Sequence, residues 1–373
     1  MTNRHNPWDL KQMQSLPLDA KIRMTKLRIR AWYDSWKRYE IYNTLTGKTR
    51  YVTATEEPVL KDNEYIENTE SGWVYIGFSG GKDSTVLKHL VDSMYDDVPA
   101  VFVNTGLEYP EIQRFVTDIK SGKYDCFNSD VEIVRPSMRF DEVLKTYGYP
   151  AVSKEVSRKI YEGRRATLNG NPDNYASRQF EGTYVSKNGK PNGYSIEKWK
   201  PLYELTEIPI SHMCCDVMKK KPSKQYERET GRVPFLGTMA VESALRRQNW
   251  IKNGCNAFET ARPTSQPLSF WTDQDILEYI QKFNVPYASV YGDIVSDGDT
   301  LKTTGCNRTG CIFCMFGAHL DKGENKFQML KKTHPRQYEY CIGGGEMVDG
   351  KWQPSKEGLG LGKVLDILHI KYD

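Results

Sequence analysis

The chain has 373 residues, with 52 lysines and arginines against 48 aspartates and glutamates and a formal net charge of +4. With 38% hydrophobic and 27% charged residues, it reads as a soluble globular protein, long enough for one large domain with additions. The mild basicity does not diagnose a nucleic-acid binder, and no run approaches the roughly 18 apolar residues of a membrane span.

The N-terminal residues have no apolar h-region, so the expected location is the cytoplasm. There the eight cysteines are not expected to form disulfides. Five of them fall into two tight groups, Cys214-Cys215 and Cys306, Cys311, Cys314. That grouping points to a metal or a cluster.

In chain order, a turn at Leu16-Pro17 with Asp19 as cap introduces a basic amphipathic helix over 21–37. Its charged face suits either a nucleic acid or a solvated cover over a sheet. Residues 40–71 read as a hairpin-like insertion, two short strands about Gly47. A strand over 73–79 then ends in Ser79-Gly80-Gly81-Lys82-Asp83-Ser84-Thr85, and a helix runs over 83–94. Glycines let the backbone turn sharply and approach a ligand. The first helical N–H groups lack intrahelical partners and carry about half a positive charge. Hydroxyls from Ser79, Ser84 and Thr85 and the Lys82 ammonium complete an anion pocket sized for phosphate. The spacing is not that of a Walker A loop.

Strands over 100–104 and 131–134 alternate with helices over 109–119 and 141–147. Strict alternation implies a parallel sheet with helices on both faces. Thr105, Gly106 and Glu108 follow the second strand, where ligands of such sheets bind. Residues 169–191 are expected to be a long loop or lid. Cys214-Cys215 opens a helix, followed one turn later by Lys219-Lys220-Lys221. A strand over 234–238 leads into a helix over 241–252 that carries Arg246, either facing an anion or lying on a solvated face. Another helix follows a cap at Thr272. Residues 292–323 read as loop and contain C-x4-C-x2-C (Cys306, Cys311, Cys314), a pattern that suits zinc or a 4Fe–4S cluster. Helices over 326–333 and 363–370 close the chain, and Cys341 stands alone before a Gly-rich, mobile-looking stretch. The expected organisation is an N-terminal helix and insertion (1–71), a nucleotide-binding α/β domain (72–290) and a Cys-rich C-terminal region (291–373).

SGGKDS resembles the PP-loop of ATP pyrophosphatases. Taken with NTGLEYPE (104–111), CC-x3-KKK-P (214–222), GTMAVES (237–243) and GCNRTGCIFC (305–314), the chain resembles the phosphoadenosine phosphosulfate (PAPS) reductase family, including its relatives in DNA phosphorothioation, over roughly residues 70–345. The resemblance implies an adenine nucleotide α-hydrolase-like parallel sheet. It implies an adenine nucleotide as ligand: ATP with Mg2+, or adenylylsulfate or PAPS. It also implies a 4Fe–4S cluster on Cys214, Cys215, Cys311 and Cys314, with Cys306 as an extra candidate ligand and Zn2+ as the alternative.

The sulfonucleotide reductases of this family have an altered PP-loop; here it is intact, as in the sulfur-transfer relatives. The expectation is therefore an enzyme that splits ATP into AMP and pyrophosphate to activate an acceptor for sulfur transfer, with Lys82 and Asp83 as catalytic residues. The acceptor is a nucleic acid or a small metabolite, and a sulfur donor or thiol reductant protein is the expected partner. One alternative is a sulfonucleotide reductase, an oxidoreductase with Cys341 as nucleophile, although Cys341 sits in Tyr-Cys-Ile instead of the family's Glu-Cys-Gly. The other is a zinc-stabilised nucleotide- or nucleic-acid-binding protein without turnover.

Overall fold

Short runs rich in Val, Ile, Phe and Tyr are buried on both faces and so become parallel strands, whose only cover is helices. The computed structural model describes residues 4–186, 188–189, 196–321 and 323–373. Its largest sheet is built from β1 (Val74–Phe78), β2 (Ala100–Val103), β3 (Val131–Val134), β4 (Val233–Leu236), β5 (Asn256–Ala257) and β6 (Thr264–Ser265), in the order β3-β2-β1-β4-β6-β5. Every neighbouring pair is parallel except β5 with β6. Strands β2 and β3 extend the sheet on one side of β1, and β4 pairs on its other side. The order therefore reverses between β1 and β4, and a crevice opens at the carboxyl ends of those two strands.

The chain divides into two compact units: Met1–Asn104, Glu108–Arg135 and Ser223–Thr309 form the first, and Thr105–Leu107, Pro136–Pro222 and Gly310–Asp373 the second.

The first unit holds the large sheet. Val74, Ile76, Phe102, Phe235 and Trp271 lie in its core. The N-terminal helix spans Leu18–Ser35, so Asp19 lies in its first turn and is not its cap. This helix is pinned to the unit. The Lys21 ammonium donates to both carboxylate oxygens of Asp275 (2.8 and 2.7 Å), and Trp271 Nε1 donates to Thr25 Oγ1 (2.9 Å). Arg23 and Arg30 remain exposed. The hairpin-like insertion has a third strand: Lys48–Ala54, Lys37–Asn43 and Glu64–Ser71 pair in that order. Within the stretch 292–323 expected to be loop, Ile294–Asp297 and Thr300–Thr303 pair antiparallel.

The helix Asp273–Phe283 starts with the expected capping box. Thr272 Oγ1 accepts from Asp275 N–H, and the Thr272 N–H donates to Asp275 Oδ2. This cap orients the turn that bears Asp273. Thr272→Ala is expected to cost about 1 kcal/mol of stability, read as a lower urea midpoint with unchanged slope.

The second unit is largely helical. Lys154–Leu168 is a helix capped by Ser153, whose hydroxyl accepts from Val156 N–H. Part of the expected lid is also helix, Tyr175–Phe180, because Asn174 Oδ1 accepts from Ala176 and Ser177 N–H. Residues 187 and 190–191 of that stretch lie outside the described residues. The Gly-rich stretch after Cys341 is close-packed where mobility was expected. A Cβ on Gly344 would lie 2.3 Å from Gly358 N, and one on Gly345 would lie 2.2 Å from Trp352 Cζ2. Glycine serves there to let backbones meet. Among the described residues no helix is long and apolar enough to cross a membrane.

Candidate functional site

The first unit carries an anion cradle at the reversal point. β1 ends at Phe78, and the helix Lys82–Asp92 begins four residues later. Gly80 has φ +71°, and a Cβ there would lie 2.7 Å from Ile112 Cγ2. A side chain is therefore opposed by both conformation and space. The Ser79 N–H donates to Ser84 Oγ (3.2 Å), while the Ser84 and Thr85 hydroxyls donate to the Gly81 carbonyl (2.9 and 3.0 Å). These hydroxyls hold the loop in shape. From the neighbouring strand, Gly237 touches the loop: a Cβ there would lie 3.0 Å from Ser84 Cα. One residue on, Thr238 Oγ1 is buried without a hydrogen-bond partner among the described residues. Gly80→Ala is expected to weaken binding of inorganic pyrophosphate about tenfold, the effect of ~1–2 kcal/mol of backbone strain, measured by calorimetric titration.

Charges surround the loop. Lys82 is 5% exposed. Its Nζ donates to the Asn307 carbonyl at 3.2 Å and lies 3.5 Å from Asp273 Oδ1 and 3.6 Å from Asp83 Oδ1. Arg308 lies 3.5 Å from Asp273 Oδ2 and 3.6 Å from Glu242 Oε1, and Arg246 pairs with Glu242 as well. Burial, and then the like charge of Arg308, pulls the Arg246 guanidinium below its usual range, while Asp83 opposes the shift. Burial raises the Asp83 carboxyl above its ordinary value. Asp83 Oδ1 is buried and accepts no hydrogen bond among the described residues. A buried, under-satisfied carboxylate oxygen in a phosphate loop fits a hard divalent cation such as Mg2+.

Asp273, Tyr291, Asn307 and Arg308 escaped the sequence reading as parts of this site. Asp273 looked like an ordinary first-turn acid, Asn307 and Arg308 stood in GCNRTGCIFC only as spacers between cysteines, and no motif marks Tyr291.

The second unit carries the thiols. Cys214 and Cys215 open a helix whose next turn, Asp216–Lys220, is a π turn, a form frequent at functional sites. Their sulfurs are 4.0 Å apart, with Cys214 donating to Cys215. That bond, aided by the charges of Lys154 and Lys219, pulls the Cys215 thiol down. The same bond, burial and the neighbouring charges of Cys215, Cys314 and Cys311 push Cys214 up. The Cys311 loop is tight: Cys314 N–H donates to the Cys311 carbonyl (3.1 Å), and Ile312 N–H donates to Leu107 O (2.8 Å).

Thr105 and Gly106 lie in this unit, where Thr105 Oγ1 accepts from Leu107 N–H at 3.1 Å. Glu108 and Cys306 belong to the first unit. Cys306 is hydrogen-bonded there to the Tyr109 hydroxyl, and burial raises its thiol. Cys341 is fully buried on the helix Pro335–Ile342, and burial pushes its thiol far up.

Among the described residues no three His, Cys, Asp or Glu side chains converge as ligands of one ion. A single zinc draws its thiolates to about 2.3 Å from one point. A cluster takes one thiolate per iron and spreads them further apart. Cys214, Cys215, Cys311 and Cys314 lie in one unit, and the charges of Cys215, Cys314 and Cys311 reach Cys214.

The parallel sheet and its Gly-Gly-Lys loop define a nucleotide-handling α/β protein of the PP-loop class. The chain belongs to the phosphoadenosine phosphosulfate reductase family, whose domain model matches residues 74–171 and 175–315. Two uncharacterized proteins of Methanocaldococcus jannaschii are similar. One is 22% identical over 347 residues, covering 86% of this chain and 55% of the relative. The other is 22% identical over 292 residues, covering 76% and 48%. The chain thus spans about half the length of the curated relatives it matches. The crystal structure of PAPS reductase from Candida auris, a phosphate complex, aligns at 12% identity and TM-score 0.32, over 60% of this chain and 80% of that one. At that score the likeness adds nothing to the topology above.

Proposed function

We infer that the protein is an ATP pyrophosphatase that activates an acceptor as its adenylate for sulfur transfer. One observation carries this reading: an intact Ser79–Ser84 loop at the β1/β4 reversal, with the Lys82 ammonium buried inside it. In the reaction an acceptor atom attacks the α-phosphorus, the bond to the bridging oxygen breaks, and pyrophosphate leaves with the added charge. Loop N–H groups and Lys82 oppose that charge where it develops. Arg246 and Arg308, now paired with carboxylates, are the further cations within reach of the loop. Asp83 would hold Mg2+, which screens the phosphates. Cys214, Cys215, Cys311 and Cys314 would hold a 4Fe–4S cluster, which supplies a site for binding or delivering sulfur.

The reductase alternative requires a reachable thiolate at Cys341. Its complete burial argues against that role.

The test incubates anaerobically purified protein with ATP, adenylylsulfate or PAPS and assays pyrophosphate and sulfite separately. Pyrophosphate from ATP is the expected product. Sulfite from either sulfonucleotide, without pyrophosphate from ATP, would overturn the assignment.

A further inference from the structure

Tyr291, Asn307 and Thr309 bring three oxygens onto the loop at Gly81 and Lys82. The Lys82 N–H, the first of the helix Lys82–Asp92, donates to the Tyr291 hydroxyl at 3.1 Å. That hydroxyl lies 2.6 Å from Thr309 Oγ1. Both oxygens cover Gly81: a Cβ on it would lie 3.3 Å from Tyr291 Oη and 3.4 Å from Thr309 Oγ1. The third oxygen is the Asn307 carbonyl, which accepts from Lys82 Nζ at 3.2 Å.

A backbone N–H has one hydrogen to give, and the first-turn N–H groups of a helix have no partner within it. A phosphate oxygen and the Tyr291 hydroxyl therefore compete for the same donor. Neutral hydroxyls and a carbonyl satisfy these donors more weakly than an anion does. The arrangement is a plug held by modest hydrogen bonds, which a phosphate group can displace. Tyr291 is 2% exposed, whereas residues 307 and 308 are exposed.

The geometry points to a built-in anion mimic. The Tyr291–Thr309 hydroxyl pair and the Asn307 carbonyl lie in the phosphate loop, and binding of the pyrophosphate moiety expels segment 307–309. Nucleotide occupancy is thereby coupled to the freedom of residues 307–309. This inference rests on the phosphate-loop reading above and adds a regulatory role for residues that reading does not use.

The test titrates inorganic pyrophosphate into the full chain, wild type, Tyr291→Phe and Thr309→Val, with thermal melts to check folding. Phe keeps the buried ring and removes only the hydroxyl. Thr309→Val alters a half-buried position, so it decides the matter should the buried variant fail to fold. Both variants are expected to bind pyrophosphate about three- to tenfold more tightly, the effect of one competing hydrogen bond removed. In the wild type, pyrophosphate is expected to speed amide deuterium exchange in peptides covering 304–309. Unchanged or weaker binding by folded variants, or slower exchange in that segment on binding, overturns the plug and leaves the phosphate loop standing. No binding by any of the three proteins overturns both.

Discussion

On the proposed reading, Lys82→Ala is expected to lower the rate of pyrophosphate release from ATP by about 100- to 1000-fold, the usual loss when a preorganised charge aimed at a developing anion is removed. The ammonium is 5% exposed and already positioned by Asn307, Asp273 and Asp83, so it needs little reorganisation during the reaction. Its low exposure also reduces the screening of its charge by water. Alanine leaves Asp83 and Asp273 beside the leaving group without their nearest cation, which turns a favourable field into a repulsive one. Lys82→Arg is expected to rescue poorly, because the planar fork of arginine does not replace a compact point charge in a closed loop. A continuous pyrophosphate assay at saturating ATP reads the effect. Activity of Lys82→Ala within fivefold of wild type would remove Lys82 from the chemistry.

The second large effect concerns the thiols. Cys311→Ser or Cys214→Ser is expected to lower iron retention by on the order of tenfold to a hundredfold or more, since loss of a ligand exceeds the loss from mutating its supporting groups. A brown cluster absorption, the mark of the proposed cluster, is expected to disappear with the iron. Cys306→Ser and Cys341→Ser retain both: Cys306 is committed to Tyr109 in the first unit, and Cys341 is buried in a helix. Metal binding is coupled to folding, so the Cys311 loop should also become more sensitive to proteolysis in the iron-poor variants. Iron and acid-labile sulfide analysis of anaerobic preparations checks this. Full iron content in Cys311→Ser, or its loss in Cys341→Ser, means that the ligand set is a different one.

The phosphate loop was legible before any coordinates because its chemistry is local. A strand, two glycines and a helix start within about ten residues fix where the N–H groups point. The same holds for the Thr272 cap and for β1 to β4, whose apolar runs announced a parallel sheet. The short helix Tyr175–Phe180 was missed because its signal is a single Asn cap, in a stretch whose composition favours loop. The Gly-rich stretch near 343–345 was misread as mobile because glycine permits both freedom and close packing, and only the presence of Gly358 and Trp352 decides which applies.

The sequence by itself determined the family and the strand, glycine turn and helix start that frame the Ser79–Ser84 loop, because contiguous residues carry them. Tertiary structure alone decided which distant charges ring that loop, Asp273 and Arg308 among them, and which hydroxyl occupies its first N–H. It also assigned Cys306 to the other unit from Cys214, Cys215, Cys311 and Cys314, which the family resemblance had already grouped. The physical reason is that such groupings depend on chain segments more than two hundred residues apart, 225 for Lys82 and Asn307, brought together by burial of a core and not by any local preference of the residues concerned.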